Sequence, residues 1–168
     1  MTFSLPDVCD ALKLMSGKEN VKLPDAVAQD LAEKSNRNLR QASLALEVMY
    51  VQHGALAEGT KVKLPQWEVE VMDVAGSILK TQDPKTLLKA RSKFYELLAH
   101  CIPAETILRR LLLELLPKLD TAIKGDVVYW AAFYEHRMQL GSKQIFHLEA
   151  FVSKVMLIIK KHVMALFM

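Results

Sequence analysis

Residues 54–65 read Gly54-Ala-Leu-Ala-Glu-Gly-Thr-Lys-Val-Lys-Leu-Pro65, and the organisation of the chain turns on how this stretch is understood. It nearly matches the phosphate-binding loop G-x-x-x-x-G-K-[ST], which would make it a nucleotide site. In that loop the lysine reaches the terminal phosphates while the hydroxyl after it holds Mg²⁺. Here Thr60 precedes Lys61, so the two functions are in the wrong order. The match also follows a helical segment rather than a strand, and Pro65 arrives before any helix begins. Two glycines and alternating charge without helical period make the stretch a linker between two parts.

On its N-terminal side the chain reads as three short helices. Ser4 caps the first, with Pro6 in the first turn and Asp7 three residues on, an acidic capping box. Leu23-Pro24-Asp25 opens the second, with Val27 and Leu31 on one face. Ser35 or Asn36 is expected to cap the third, in which Leu39, Ala42, Leu46 and Met49 recur at three- and four-residue steps. This small bundle is assigned residues 1–57.

On the C-terminal side, residues 66–168, helices are expected to begin near Pro65 and at Asp83-Pro84. Leu87, Phe94, Leu98 and Cys101 share a face, Cys101 reading as a buried structural thiol. Pro103 restarts the chain into Ile107-Leu108, Leu111-Leu112 and Leu115-Leu116, ending at Pro117. Val127-Val-Tyr-Trp-Ala-Ala-Phe-Tyr134 has no charge, which predicts a central helix packed around most of its circumference. After Gly141-Ser142, a last helix from about Lys143 to His162 carries a seam of Ile145, Leu148, Val152, Val155 and Ile159. Phe151 and Ile158 start a second apolar face, which suits either a partner subunit or the inside of its own domain. The fold class is all-α, with no internal repeat.

Composition narrows the remaining classes. The 168 residues are 51% hydrophobic and 24% charged, which excludes disorder, and only six Gly and six Pro argue against a turn-rich β-sandwich. Two cysteines are too few for a disulfide scaffold and suit a reducing compartment. The start lacks a basic n-region, so no signal peptide is expected, and Val155–Ile159 is bracketed by Lys154 and Lys160-Lys161. A membrane span needs about 20 apolar residues, so no membrane association is expected.

Catalytic chemistry is equally sparse. The five histidines form no H-E-x-x-H or Glu-x-x-His pattern, and no G-x-S-x-G elbow occurs, so neither a metal nor a catalytic residue is assigned. Glu96 and His100, four apart, read as a simple hydrogen-bonded pair. Lys85, Lys89 and Lys93 make a basic stripe and Arg109-Arg110 a second patch, which suit phosphates or, more blandly, a solvated face. Arg37 and Arg40 fall in the first turn of the third helix, where the macrodipole disfavours cations and an anionic partner would relieve the conflict.

The residues also carry a family resemblance over nearly the whole chain, from about Pro6 to Lys161. Leu23-Pro-Asp-Ala-Val-Ala-Gln-Asp-Leu-Ala-Glu-Lys-Ser-Asn-Arg-Asn-Leu-Arg-Gln-Ala42 resembles the lid subdomain of an AAA+ clamp-loader subunit. Three further segments resemble the collar domain of the third-subunit type of replication factor C. They are Tyr95-Glu-Leu-Leu-Ala-His-Cys-Ile-Pro103, Ala132-Phe-Tyr-Glu-His-Arg-Met-Gln-Leu-Gly-Ser-Lys143 and Ile145-Phe-His-Leu-Glu-Ala-Phe-Val152. The resemblance implies a nuclear complex that uses ATP to load the sliding clamp at primer–template junctions in replication and repair. It implies the other replication factor C subunits as partners, with clamp and DNA met through the complex. It further implies that a complete subunit carries an ATPase core, which these residues do not contain, so the chain is expected to be non-catalytic and to bind no cofactor alone. Arg40 matches the lid's sensor arginine. Collar assembly is expected to run through Leu111, Leu115, Val155 and Ile159. The competing expectation is a stand-alone helical adaptor that binds nucleic acid through Lys85, Lys89, Lys93 and Arg109.

Overall fold

The computed structural model describes residues 3–54, 56, 62 and 64–166. The chain divides into two compact units, Met1–Leu64 and Pro65–Met168. All of the regular structure among the described residues is helical.

The first unit packs three helices against one another: α1 (Leu5–Lys18), α2 (Asp25–Lys34) and α3 (Leu39–His53). The expected capping box is present, the Asp7 amide donating to Ser4 Oγ (3.3 Å) and the Ser4 amide to Asp7 Oδ2 (3.1 Å). Val8 and Leu12 of α1, Val27 and Leu31 of α2 and Ala42, Leu46 and Met49 of α3 close the core. Two residues of the 54–65 stretch join them. Leu56 and Val62 are buried, and Val62 is held by its amide on Asp30 (3.4 Å) and by Lys34 Nζ on its carbonyl (3.1 Å). The first unit therefore runs on to Leu64 rather than stopping at residue 57. Most of the phosphate-loop look-alike lies outside the described residues.

One expectation fails between α2 and α3. Neither Ser35 nor Asn36 caps α3; the cap is Asn38, whose side chain accepts from the Gln41 amide (3.3 Å). Ser35 instead closes α2, and Asn36 and Arg37 both adopt left-handed backbone (φ 50° and 62°), which pushes the helix start along. Arg37 thus precedes α3 rather than lying in its first turn.

The same C-terminal device ends three helices. After α1, α2 and α5 (Pro84–Ala99) a left-handed residue turns the chain so that two successive amides bond back to carbonyls of the last turn. At α1 these are Asn20 to Gly17 and Val21 to Ser16; at α2, Asn36 to Glu33 and Arg37 to Ala32. At α5 they are Cys101 to Leu98 and Ile102 to Leu97. Asparagine tolerates the left-handed position, but Cys101 (φ 60°) sits where glycine is usual. Because the turn swings it off the helix, Cys101 is exposed, correcting the expected buried thiol.

The second unit adds α4 (Gln66–Lys80), α6 (Ala104–Leu115), a single 3₁₀ turn (Leu116–Lys118), α7 (Thr121–Leu140) and α8 (Gln144–Leu166). Its centre is α8 rather than the expected α7. Helix α8 packs on α4, α5, α6 and α7, and buries Ile145, Leu148, Phe151, Val152, Val155, Met156 and Ile159. Helix α7 is apolar by composition but buries only Ile123, Val127, Ala131 and Met138, while Val128, Tyr129 and Phe133 face outward. The second seam of α8 lies inside its own unit, Phe151 being fully buried and Ile158 half-buried.

Charged side chains tie these helices at two places. Arg110 of α6 bridges Glu68 of α4 (3.2 Å) and Glu114 (2.9 Å), with Glu68 buried. At the other end, His162 bonds Asp120 ahead of α7 (3.0 Å). That hydrogen bond, with the Ala122 and Thr121 amides, holds the Asp120 carboxyl below its ordinary range.

Three outcomes check this description. Cys101→Gly relieves left-handed strain and is expected to raise stability by about 1 kcal/mol in urea unfolding. Arg110→Ala strands the buried Glu68 and is expected to cost about 3–5 kcal/mol in the same measurement. By NMR titration Asp120 is expected to ionise below 3.8 and to move up toward it in His162→Ala. The sign follows from the lowered folded value: this contact stabilises above the unfolded carboxylate range and is lost as pH falls through the folded value.

Candidate functional site

Arg40 lies in the first turn of α3, exposed, and makes no ion pair among the described residues. Its backbone carbonyl accepts from Ser43 Oγ (2.9 Å), so the turn beneath it is well formed. A cation at the positive end of a helix is a local electrostatic conflict that a bound anion relieves. Farther along α3, Leu44, Val48 and Val51 form an exposed apolar row. Beside it an open hollow of about 500 Å³ is lined by Met15, Val21, Leu44 and Tyr50 among others.

The basic stripe on α5 is only partly free. Lys93 pairs with Glu96 (2.7 Å), and Lys85 and Lys89 are exposed without an ion pair among the described residues. The Glu96–Lys93 contact also replaces the expected Glu96–His100 pair; His100 caps α5 through its backbone amide. Arg109 and Arg110 part company, Arg110 turned inward onto Glu68 and Glu114 and Arg109 outward. Arg109 is carried by α6 and the lysine stripe by α5.

The four residues expected at an assembly interface need correction. Leu111, Leu115, Val155 and Ile159 are all buried in the core of their own unit. The physical reason is that a helical apolar stripe satisfies a domain core as well as a subunit interface. What the core leaves outside is a different set. On α8, Phe146, Leu157 and Met164 are exposed and recur at steps of 11 and 7 residues, near whole turns, so they form one outer row.

Helix α7 presents a second uncovered surface that the reading of an all-round apolar helix missed. Tyr129 is 63% exposed and Phe133 is also exposed, with Trp130 packed edge-on against both (centroids 5.5 and 5.3 Å). Lys154 Nζ sits 3.9 Å over the Trp130 ring, and the Arg137 guanidinium 5.2 Å over Phe133. The i, i+4, i+8 spacing of Tyr129, Phe133 and Arg137 was the available signal. Among the described residues no group of three His, Cys, Asp or Glu side chains could hold a metal, and no helix is long and apolar enough to cross a membrane.

Comparison with known proteins agrees with this division. Residues 67–163 match the family model described as replication factor C subunit 3, C-terminal domain. Residues 10–51 match the RCF1/5-like, AAA+ ATPase lid domain. Replication factor C subunit 3 of Arabidopsis thaliana is 46% identical over 164 residues, covering 98% of this chain and 46% of that protein. The proteins of the same name from Mus musculus and Homo sapiens are 48% and 47% identical over 158 residues, covering 94% of this chain and 44% of each. The chain thus spans less than half the length of these relatives. It belongs to the replication factor C subunit family, of which it holds an AAA+ lid followed by the helical C-terminal domain.

Proposed function

We propose that the chain is an assembly module of the replication factor C clamp loader, serving DNA replication and repair in the nucleus. One observation carries the reading: the family match spans the second unit, whose core is complete while α8 keeps an uncovered apolar row. A row of Phe146, Leu157 and Met164 suits the packing of another helical domain against α8. Leu111, Leu115, Val155 and Ile159 support such a contact from beneath, by holding α6 and α8 in place.

On this reading the partners are the other replication factor C subunits, and the sliding clamp and primer–template DNA are engaged by the assembled complex. The chain is non-catalytic on its own, and ATP belongs to the full complex. There Arg40 is a sensor-type contact to nucleotide held by an ATPase core. The lid match and the exposed position of Arg40 at a helix N-terminus support that role. The stand-alone adaptor using Lys85, Lys89, Lys93 and Arg109 is not favoured, since Lys93 is paired with Glu96 and the family matches are to clamp-loader domains.

The test is co-purification of the full chain with the other subunits by size-exclusion chromatography. The chain is expected to elute with them, and Phe146→Asp with Leu157→Asp to elute alone while keeping its unfolding midpoint. A wild-type chain that stays monomeric in that mixture overturns the proposal.

A further inference from the structure

The α7–α8 pair carries a surface whose chemistry differs from that of the assembly row. On α7, Tyr129, Phe133 and Arg137 follow one another at four-residue steps and form an outward ladder. On α8, Lys154 and Lys161 lie seven residues apart and share one row, while Lys143 stands just ahead of the helix with its ammonium over Phe146. Lys154 fixes the relation between the two: its ammonium lies over Trp130, so the lysine row runs along the flank of the aromatic ladder. Arg137 and these lysines stand against two acids, Asp126, a turn before Trp130, and Asp120, which bonds His162 beside Lys161.

We propose that this face binds an extended single strand of nucleic acid, its bases on Tyr129 and Phe133 and its phosphates toward the lysine row. Aromatic side chains on a basic groove are the combination that holds single strands without sequence preference. Spacing decides between strand forms. Four helical residues rise about 6 Å, whereas bases in a stacked duplex strand are about 3.4 Å apart. The ladder therefore matches an unstacked strand and mismatches a duplex. Neighbouring cations occupy part of the series: Arg137 covers one face of Phe133 and Lys154 one face of Trp130, so Tyr129 is the most open platform and Phe133 offers only its remaining exposed surface. This inference is separate from the assembly reading in that it needs no other subunit, although Lys143 sits over Phe146 of the outer row.

The experiment is fluorescence anisotropy of the full chain with a labelled oligothymidylate of about 20 nucleotides and with a duplex of equal length. The single strand is expected to bind more tightly than the duplex and to weaken steeply between about 50 and 200 mM salt. Tyr129→Ala with Phe133→Ala is expected to lower that affinity about tenfold or more. Lys143→Glu with Lys161→Glu is expected to flatten the salt dependence. Because all four side chains are exposed, an unchanged unfolding midpoint by circular dichroism shows that each variant is folded. No binding by the wild-type chain at low salt, equal binding of duplex, or full affinity in the aromatic variant overturns the proposal. Full affinity accompanied by loss of co-elution with the other subunits assigns the ladder to a protein partner instead.

Discussion

The second unit rests on the burial of one helix. Helix α8 brings seven apolar side chains to the core, spread too widely around its axis for one neighbour to cover. Four helices share that work, and their placement follows from it. Helix α7 returns antiparallel after a connection of three residues, Gly141 to Lys143, and α5 lays Ala90, Phe94 and Leu97 against the assembly. The fully buried phenylalanines, Phe94 and Phe151, mark its interior. Where the geometry is tight the sequence complies: a side chain at Gly141 would meet His147 Nε2 at 2.9 Å.

Polar groups then fix how the helices are aligned along that core. Apolar burial is nondirectional, so sliding α4 along α6 would cost little until a specific pairing intervenes. Arg110 with Glu68 and Glu114 supplies such a pairing, and Arg91 with Glu149 does the same for α5 and α8. The first unit solves the matching problem by different means. Asp30 and Lys34 grip the backbone of Val62, which fixes that residue against α2.

Much of this was legible in residue spacing, and the exceptions share a cause. Ser4 with Asp7, Pro24 and Pro84 announced their helix starts because each acts through its immediate neighbours. The role of α7 was misjudged because eight uncharged residues say how apolar a helix is, and not which way its side chains face once α6 and α8 have taken their share. Leu111 and Val155 were indistinguishable from interface residues for a related reason, since core and interface demand the same stripe. Backbone handedness left no mark at Arg37 or Cys101, where glycine would have signalled it. Of the candidate site residues, Arg40 and the lysines of α5 are where periodicity put them. The Tyr129–Phe133–Arg137 ladder became visible only when the buried stripe of α7 was known.

The left-handed turn after α5 also gives the molecule two thiols of unequal reach. Cys9 is half-buried and its Sγ donates to the Ala28 carbonyl (3.7 Å), with burial pushing its ionisation up. Cys101 points into solvent from a corner pinned by two backbone bonds. A thiol-specific dye or spin label added to the native sequence would therefore concentrate at a single rigid point between α5 and α6. The unaltered chain thereby offers a built-in attachment position for distance measurements, set by backbone geometry rather than by engineering.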